Sequence, residues 1–149
     1  MRLISCWMLS CLLWAALPPL SEEARSEGAK HVFEGVVHNM RANLTTRGNF
    51  LDIQDWNYTA DIFTDRVLKG DLREKTSVEV VFWHPARRPR GWAGPQGQNE
   101  IPYLGNKGIF YVYEEGTTVI GPGPLRLLEP NGWELLEEED DSWKVTEEL

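Results

Sequence analysis

Tyr58-Thr59-Ala60-Asp61-Ile62-Phe63-Thr64-Asp65-Arg66-Val67-Leu68-Lys69-Gly70, followed after a short connection by Ser77-Val78-Glu79-Val80-Val81-Phe82-Trp83, reads as two strands joined at Lys69-Gly70. In the first, Tyr58, Ala60 and Ile62 share one face and Thr59 and Asp61 the other, the period of two that a strand imposes. From Phe63 the parity slips, so that Phe63, Asp65 and Val67 run out of phase. One extra residue in a long strand is a β-bulge, which lets the strand turn a barrel corner. In the second strand Val78, Val80 and Phe82 face one way, and Glu79, Val81 and Trp83 the other.

Working outward, residues 31–39 form a first strand in which Val32-Phe33 and Val36-Val37 bracket Gly35. Such apolar pairs imply burial on both faces or a bulge at the glycine. Arg47-Gly48-Asn49 is a turn, and residues 50–53 a short extended piece. Pro85 ends the third strand, because it cannot donate to a ladder. Residues 86–103, rich in proline, glycine and arginine and without periodicity, read as a long surface loop. Gly105-Asn106-Lys107-Gly108 turns into a fourth strand at 109–113, and a fifth combines 117–120 with 125–128 around Gly121-Pro122-Gly123-Pro124. The pattern predicts an all-β fold, a five-stranded OB-type barrel, with a β-sandwich as the alternative.

The chain of 149 residues carries a net charge of -8. Residues 129–149 hold nine carboxylates and one lysine, so the excess of acid belongs to the tail and the remainder is balanced. A balanced body lacks the basic excess that nucleic-acid binding requires, and none is expected. Residues 1–21 read as a signal peptide: Arg2 precedes an apolar run over 3–17, broken by Pro18-Pro19 before Glu22-Glu23. Cleavage is expected after Ser21, with Ala16 and Ala24 as alternatives, and a secreted or periplasmic location follows. Membrane attachment would require an uncleaved or lipidated signal. Cys6 and Cys11 both lie in this segment, so the mature chain has neither a disulfide nor a thiolate zinc site.

Residues 22–30 are then a flexible lead-in, 31–130 the barrel, and 131–149 an acidic tail or short helix. For the helix, Asn131 would cap, Glu134 would complete a capping box, and Trp133, Leu136 and Trp143 recur near helical spacing.

Val32-Phe33-Glu34-Gly35-Val36-Val37, Tyr58-Thr59-Ala60 leading to Val67-Leu68-Lys69-Gly70, Val78-Glu79-Val80, and Leu104-Gly105-Asn106-Lys107-Gly108-Ile109-Phe110-Tyr111-Val112 resemble, in order, the strands of the TIMP-like, or netrin-type, OB-fold family, including its exported bacterial members. The resemblance covers residues 31–130 and implies an exported TIMP-like barrel. In the family's metalloproteinase inhibitors, an N-terminal cysteine chelates the protease zinc. This chain has no residue for that role, so the resemblance implies the fold and the export without the inhibitory mechanism.

No catalytic residue, metal ligand set or cofactor is assigned. His31 and His38 are separated by an odd number of residues and face opposite sides of a continuous strand. A metal site from His84 and carboxylates such as Glu79 would make a small metal-dependent enzyme. The mature chain has no cysteine nucleophile, Gly-x-Ser-x-Gly elbow or phosphate loop.

Trp83, His84, Arg87, Arg88, Arg90 and Trp92 set cations among aromatics and form the candidate ligand or partner surface. It suits an anionic ligand or an exported protein partner, or else its arginines are solvated or pair with the acidic tail. Asn43 and Asn57 open Asn-x-Thr sequences and are candidate N-glycosylation acceptors. The expected function is an exported, non-catalytic binding module. The alternatives are a protease inhibitor with a cysteine-independent mechanism and, behind it, the metal-dependent enzyme.

Overall fold

β1 (His31–Thr46) and β2 (Gln54–Lys69) form a long antiparallel hairpin, and β3 (Thr76–Arg87) pairs along the other edge of β2. They belong to a computed structural model that describes residues 18–48, 52–92, 94–118, 121–122 and 124–136. β4 (Lys107–Glu114) returns to β1, placing His31 opposite Val112 and Val36 opposite Lys107, and so closes the sheet on itself. β5 (Thr117–Thr118) and β6 (Gly121–Pro122) make a small separate ladder. β7 (Leu125–Leu127) inserts between β3 and β4, parallel to the first and antiparallel to the second. The result is a closed five-stranded barrel in the order β1-β2-β3-β7-β4, with one parallel pair, the OB-type arrangement. β8 (Trp133–Leu135) occupies the part of the β4 edge that β7 leaves open, facing Gly108 to Phe110.

The interior is filled by the inward series of each strand: Phe33 and Val37, Ala60 and Ile62, Val80 and Phe82, Phe110 and Val112, and Leu127. Phe33 stacks on Phe110 with ring centroids 5.5 Å apart, and Phe110 on Trp133 at 6.2 Å. Removing side chains of this size from water contributes about 1.5–3 kcal/mol each to holding the barrel.

The corner of β2 lies slightly beyond Phe63. The inward series continues through Ile62 to a fully buried Thr64, while Phe63 stays outside. The pairing with β1 skips Asp65 and again Leu68, so the extra residues are there, and a third irregularity on β1 leaves His38 unpaired. Gly35 sits at the crossing, where an added Cβ would lie 2.7 Å from the Phe63 carbonyl oxygen. The bulges belong to β2 and His38; the glycine supplies the close approach.

Pro85 does not end β3. It lies opposite Asp55 within the β2–β3 ladder, and β7 reaches only Val80 and Val81 on the other edge, so its missing N–H faces no partner strand.

Residues 22–30, expected to be a flexible lead-in, contain the helix α1 (Glu22–Gly28). Ser21 caps it by accepting from the Ala24 N–H at 3.1 Å, and Glu22 and Glu23 lie in its first turn. At its end Lys69 Nζ donates to the Ser26 and Ala29 carbonyls at 2.6 and 2.7 Å. Ala29 packs with Val32 and Tyr111 on the outside of the barrel. Buried Arg25 stands over the Tyr111 ring at 4.7 Å and donates to Glu134 Oε2 at 2.7 Å.

The short helix of this fold therefore precedes the barrel. At the other end, residues 133–135 are strand, because the uncovered edge of β4 offers a ladder and Phe110 offers Trp133 a stacking partner. Tertiary pairing outweighs the weak capping-box pattern there. The expectations for residues 1–17 and 137–149, the rest of the signal and of the tail, lie outside the described residues.

Candidate functional site

The cationic–aromatic stretch divides between two faces of the β1–β2–β3 sheet. Trp83 lies on the outer face in the cross-strand row Asn43–Asn57–Trp83, whereas His84, one residue on, lies on the inner face in the row Leu44–Trp56–His84.

On the outer face the arginines meet carboxylates of the barrel. Arg88 pairs with Asp55, and its side chain and that of Asp55 are 11% and 7% exposed. Arg47 Nε donates to the other oxygen of Asp55 at 2.7 Å. The Arg47 and Arg88 guanidiniums stand 5.1 and 5.7 Å from the Trp83 ring, and Arg88 is 5.4 Å from Trp92. Trp83 Nε1 donates to Glu129 Oε1 at 2.6 Å. Burial alone would push the Asp55 carboxyl up, but the hydrogen bonds and charges of Arg88 and Arg47 together outweigh it and hold the group below its ordinary 3.8.

This is a clamp that fixes the loop to the sheet. Trp83, Arg88 and Trp92 are brought together in it. Arg87 is exposed and sits 3.6 Å from Asp52. Arg90 is exposed, with no ion-pair partner among the described residues. Where the arginines find acid, it is Asp55 and Asp52; the tail beyond Leu136 lies outside the described residues.

The inner face gives a groove. Rows of side chains run along it from the core outward: Met40–Ala60–Val80, Ala42–Tyr58–Phe82, then Leu44–Trp56–His84. Ala60, Val80 and Phe82 are buried, Met40 and Tyr58 half-buried and Ala42 exposed, with Tyr58 stacked on Phe82 at 5.2 Å. In the third, Leu44 is 46% and Trp56 38% exposed. The apolar series therefore continues past the end of the core. Opposite Tyr58 and His84 stand Ile101, Tyr103, Trp133 and Leu135, and the space between them is an open cleft of about 670 Å³. Tyr103 and Leu135, which line it, are 64% and 57% exposed, so the cleft presents uncovered apolar surface.

Loop 88–106 builds the far wall, and buried Gln98 ties it down. Its N–H donates to the Trp83 carbonyl at 2.9 Å, Nε2 donates to the Leu128 carbonyl at 2.9 Å, and Oε1 accepts from the Gly132 N–H at 3.1 Å. His84 Nδ1 donates to the Gln98 carbonyl at 2.7 Å, which leaves Nε2 of the neutral ring as an acceptor. Burial pushes the Tyr58 phenol above its ordinary 10.0, with nearby Tyr103 adding to the effect.

Among the described residues no group of three or more His, Cys, Asp or Glu side chains is placed to hold a metal. Glu79 lies on the opposite face from His84 and pairs with Arg41 at 2.9 Å. His31 is buried between Glu114, whose Oε1 is 3.2 Å from Nε2, and the Asp71 N–H, which donates to Nδ1 at 3.4 Å. His38 sits at its bulge, 2.7 Å from Ser77 Oγ. Asn43 and Asn57 are exposed and directly opposite each other. Among the described residues no helix is long and apolar enough to cross a membrane.

Leu44, Trp56, Tyr103 and Leu135 are the site residues that sequence reasoning missed. Ending β1 at residue 39 hid the alternation of Met40, Ala42 and Leu44, the signal that could have found Leu44; Tyr103 and Leu135 have no comparable pattern.

The fold and groove define a class, an OB-type barrel with an apolar groove at one end. No family model matches the chain, and no curated protein or solved structure matches it either.

Proposed function

We propose that this protein is an exported, non-catalytic binding module in which a TIMP-like OB barrel offers its end groove to a partner protein. The observation that carries the reading is the row Leu44–Trp56–His84, on the core-facing side of the sheet beyond the core, in which the apolar Leu44 and Trp56 are 46% and 38% exposed. Leaving such groups in water forgoes about 25 cal/mol per Å² of apolar surface, which a partner recovers on docking. The apolar run after Arg2 supports export, and the order of strand motifs supports the TIMP-like comparison.

The test compares the secreted protein with a Leu44→Asp/Trp56→Asp double variant, both immobilised and exposed to the exported fraction of the source. Both positions are exposed, so the variant should keep the wild-type melting temperature. A partner held by the wild type and lost by the folded variant supports the reading; equal retention of every captured protein overturns it.

A further inference from the structure

The groove is long, and its uncommitted polar groups are mainly of one kind. The cleft of about 670 Å³ continues into a recess of about 200 Å³ lined by Pro19 and Asn131, and Asn99, Glu100 and Trp133 line both. An elongated trough suits an extended chain better than a compact ligand. No lysine or arginine lines it, whereas exposed Glu100 does, which disfavours nucleic acid and acidic segments.

Its aromatic rings are in place before any ligand arrives. Tyr58 stacks on Phe82 at 5.2 Å and Trp133 on Phe110 at 6.2 Å, and Trp133 Nε1 donates to the Glu100 carbonyl at 3.0 Å. Tyr103 stands near the Tyr58 phenol, and its N–H donates to Asn106 Oδ1 at 2.8 Å. Rings fixed in this way lose little freedom when a partner packs on them.

The Tyr58 and Tyr103 hydroxyls and the amide NH2 groups of Asn99 and Asn106 also line the cleft, and none has a hydrogen-bond partner among the described residues. A matching chain is extended, apolar along its sides and rich in carbonyls, with few N–H groups of its own. Those are the properties of polyproline II, which has no internal hydrogen bonds and, at each proline, no N–H. A strand added to β8 fits less well, because β8 is three residues long.

We propose that the groove binds a proline-rich segment of the partner protein in the polyproline II conformation. Proline rings pack against Tyr58, Tyr103 and Trp133, and the segment's carbonyls accept from the tyrosine hydroxyls and from Asn99 and Asn106. This rests on the binding-module reading above and names the chemistry of the partner.

The probe is acetylated decaproline amide, titrated into the full secreted chain while tryptophan fluorescence is read. Saturable binding is expected, with a flexible Gly-Ser peptide of the same length and a strand-forming peptide of threonine and valine each about tenfold weaker or worse. Tyr103→Ala should weaken binding about tenfold. Tyr103→Phe, which keeps the ring and removes the hydroxyl, should weaken it about threefold. Tyr103 is 64% exposed, so both variants should keep the wild-type melting temperature.

No saturable binding of decaproline, equal binding of either control peptide, or an unaltered affinity in either Tyr103 variant overturns the proposal. Saturable binding of cellohexaose in place of decaproline would identify a glycan site, and self-association lost in the Leu44→Asp/Trp56→Asp variant would identify a second copy as the occupant; either outcome overturns it too. If decaproline fails while a partner is still captured through Leu44 and Trp56, the binding-module reading stands and this one falls.

Discussion

Arg88 and Asp55 form an ion pair buried on both sides, with side-chain exposures of 11% and 7%, and Arg47 closes on the second Asp55 oxygen at 2.7 Å. Breaking such a pair from one side is costly because the remaining charge stays desolvated. Asp55→Ala should lower stability by about 3 kcal/mol, measured by urea unfolding at neutral pH.

The same pair sets a pH dependence. The Asp55 carboxyl is held below its ordinary 3.8 in the folded state, so its contribution is complete above that value and is lost as pH falls through the lower folded value. Asp65 and Glu114 are also held low, by Lys75 and by Lys30 with His31 respectively, but their share is common to wild type and variant. The stability gap between wild type and Asp55→Asn should therefore narrow on acidification below 3.8. A gap that stays constant there would refute the assignment.

At the barrel corner, a methyl group on Gly35 would lie 2.7 Å from the Phe63 carbonyl oxygen and 2.8 Å from Ile62 Cγ2. Both belong to β2 just before its bulge, and neither can retreat without moving the strand. Gly35→Ala should cost about 2 kcal/mol. Gly48→Ala is the control: its φ of 58° is strained for alanine, but nothing lies within 4 Å of the added atom, so the loss should be about 1 kcal/mol. Equal midpoints for the two variants would show that the crossing is looser than these contacts state.

The barrel was legible because its inward series alternates over long stretches, from Tyr58 to Thr64 and from Val78 to His84. What escaped was decided by contacts distant in sequence. Phe63 looks like the slip because it is apolar, yet the pairing with β1 puts the extra residue at Asp65. Arg25 looks like a solvated cation, but Glu134 and Tyr111 receive it across the whole length of the chain. Trp92 and Arg88 look like a ligand surface, and it is Asp55, more than thirty residues earlier, that turns them into a clamp. The groove was missed because the first strand is read as ending at residue 39, so the row that Leu44 and Trp56 share beyond the core stays hidden until the long β1–β2 pairing is seen.

Leu20 and Asn131 exchange two hydrogen bonds: the Leu20 N–H donates to Asn131 Oδ1 at 2.8 Å, and Asn131 Nδ2 donates to the Leu20 carbonyl at 3.0 Å. With Ser21 capping α1, these residues belong to the fold, and cleavage after Ser21 would remove all three bonds. On the export reading, the mature chain should begin before Leu20, with the cut after Ala16 the better of the expected sites. N-terminal sequencing of the secreted protein decides it. A chain beginning at Glu22 or Arg25 would show that the fold dispenses with the cap, and Asn131→Ala would then have no effect on stability instead of costing about 1 kcal/mol.

Asn43 and Asn57 face each other across the β1–β2 hairpin, and Asn57 Nδ2 donates to the Thr45 hydroxyl at 2.7 Å. Both side chains are exposed on the outer face, whereas Leu44 and Trp56 lie on the inner one. Secreted from a eukaryotic host, the chain should carry glycans at both asparagines, so that enzymatic deglycosylation lowers the intact mass by two glycans and Asn43→Gln or Asn57→Gln by one each. Because the strands alternate, sugars at these positions project away from the groove and should leave capture of the groove's partner within about twofold of the unglycosylated protein. A glycosylated chain that no longer bound it would place the docking surface on the outer face, beside Trp83, and would count against the inner-face row as the site.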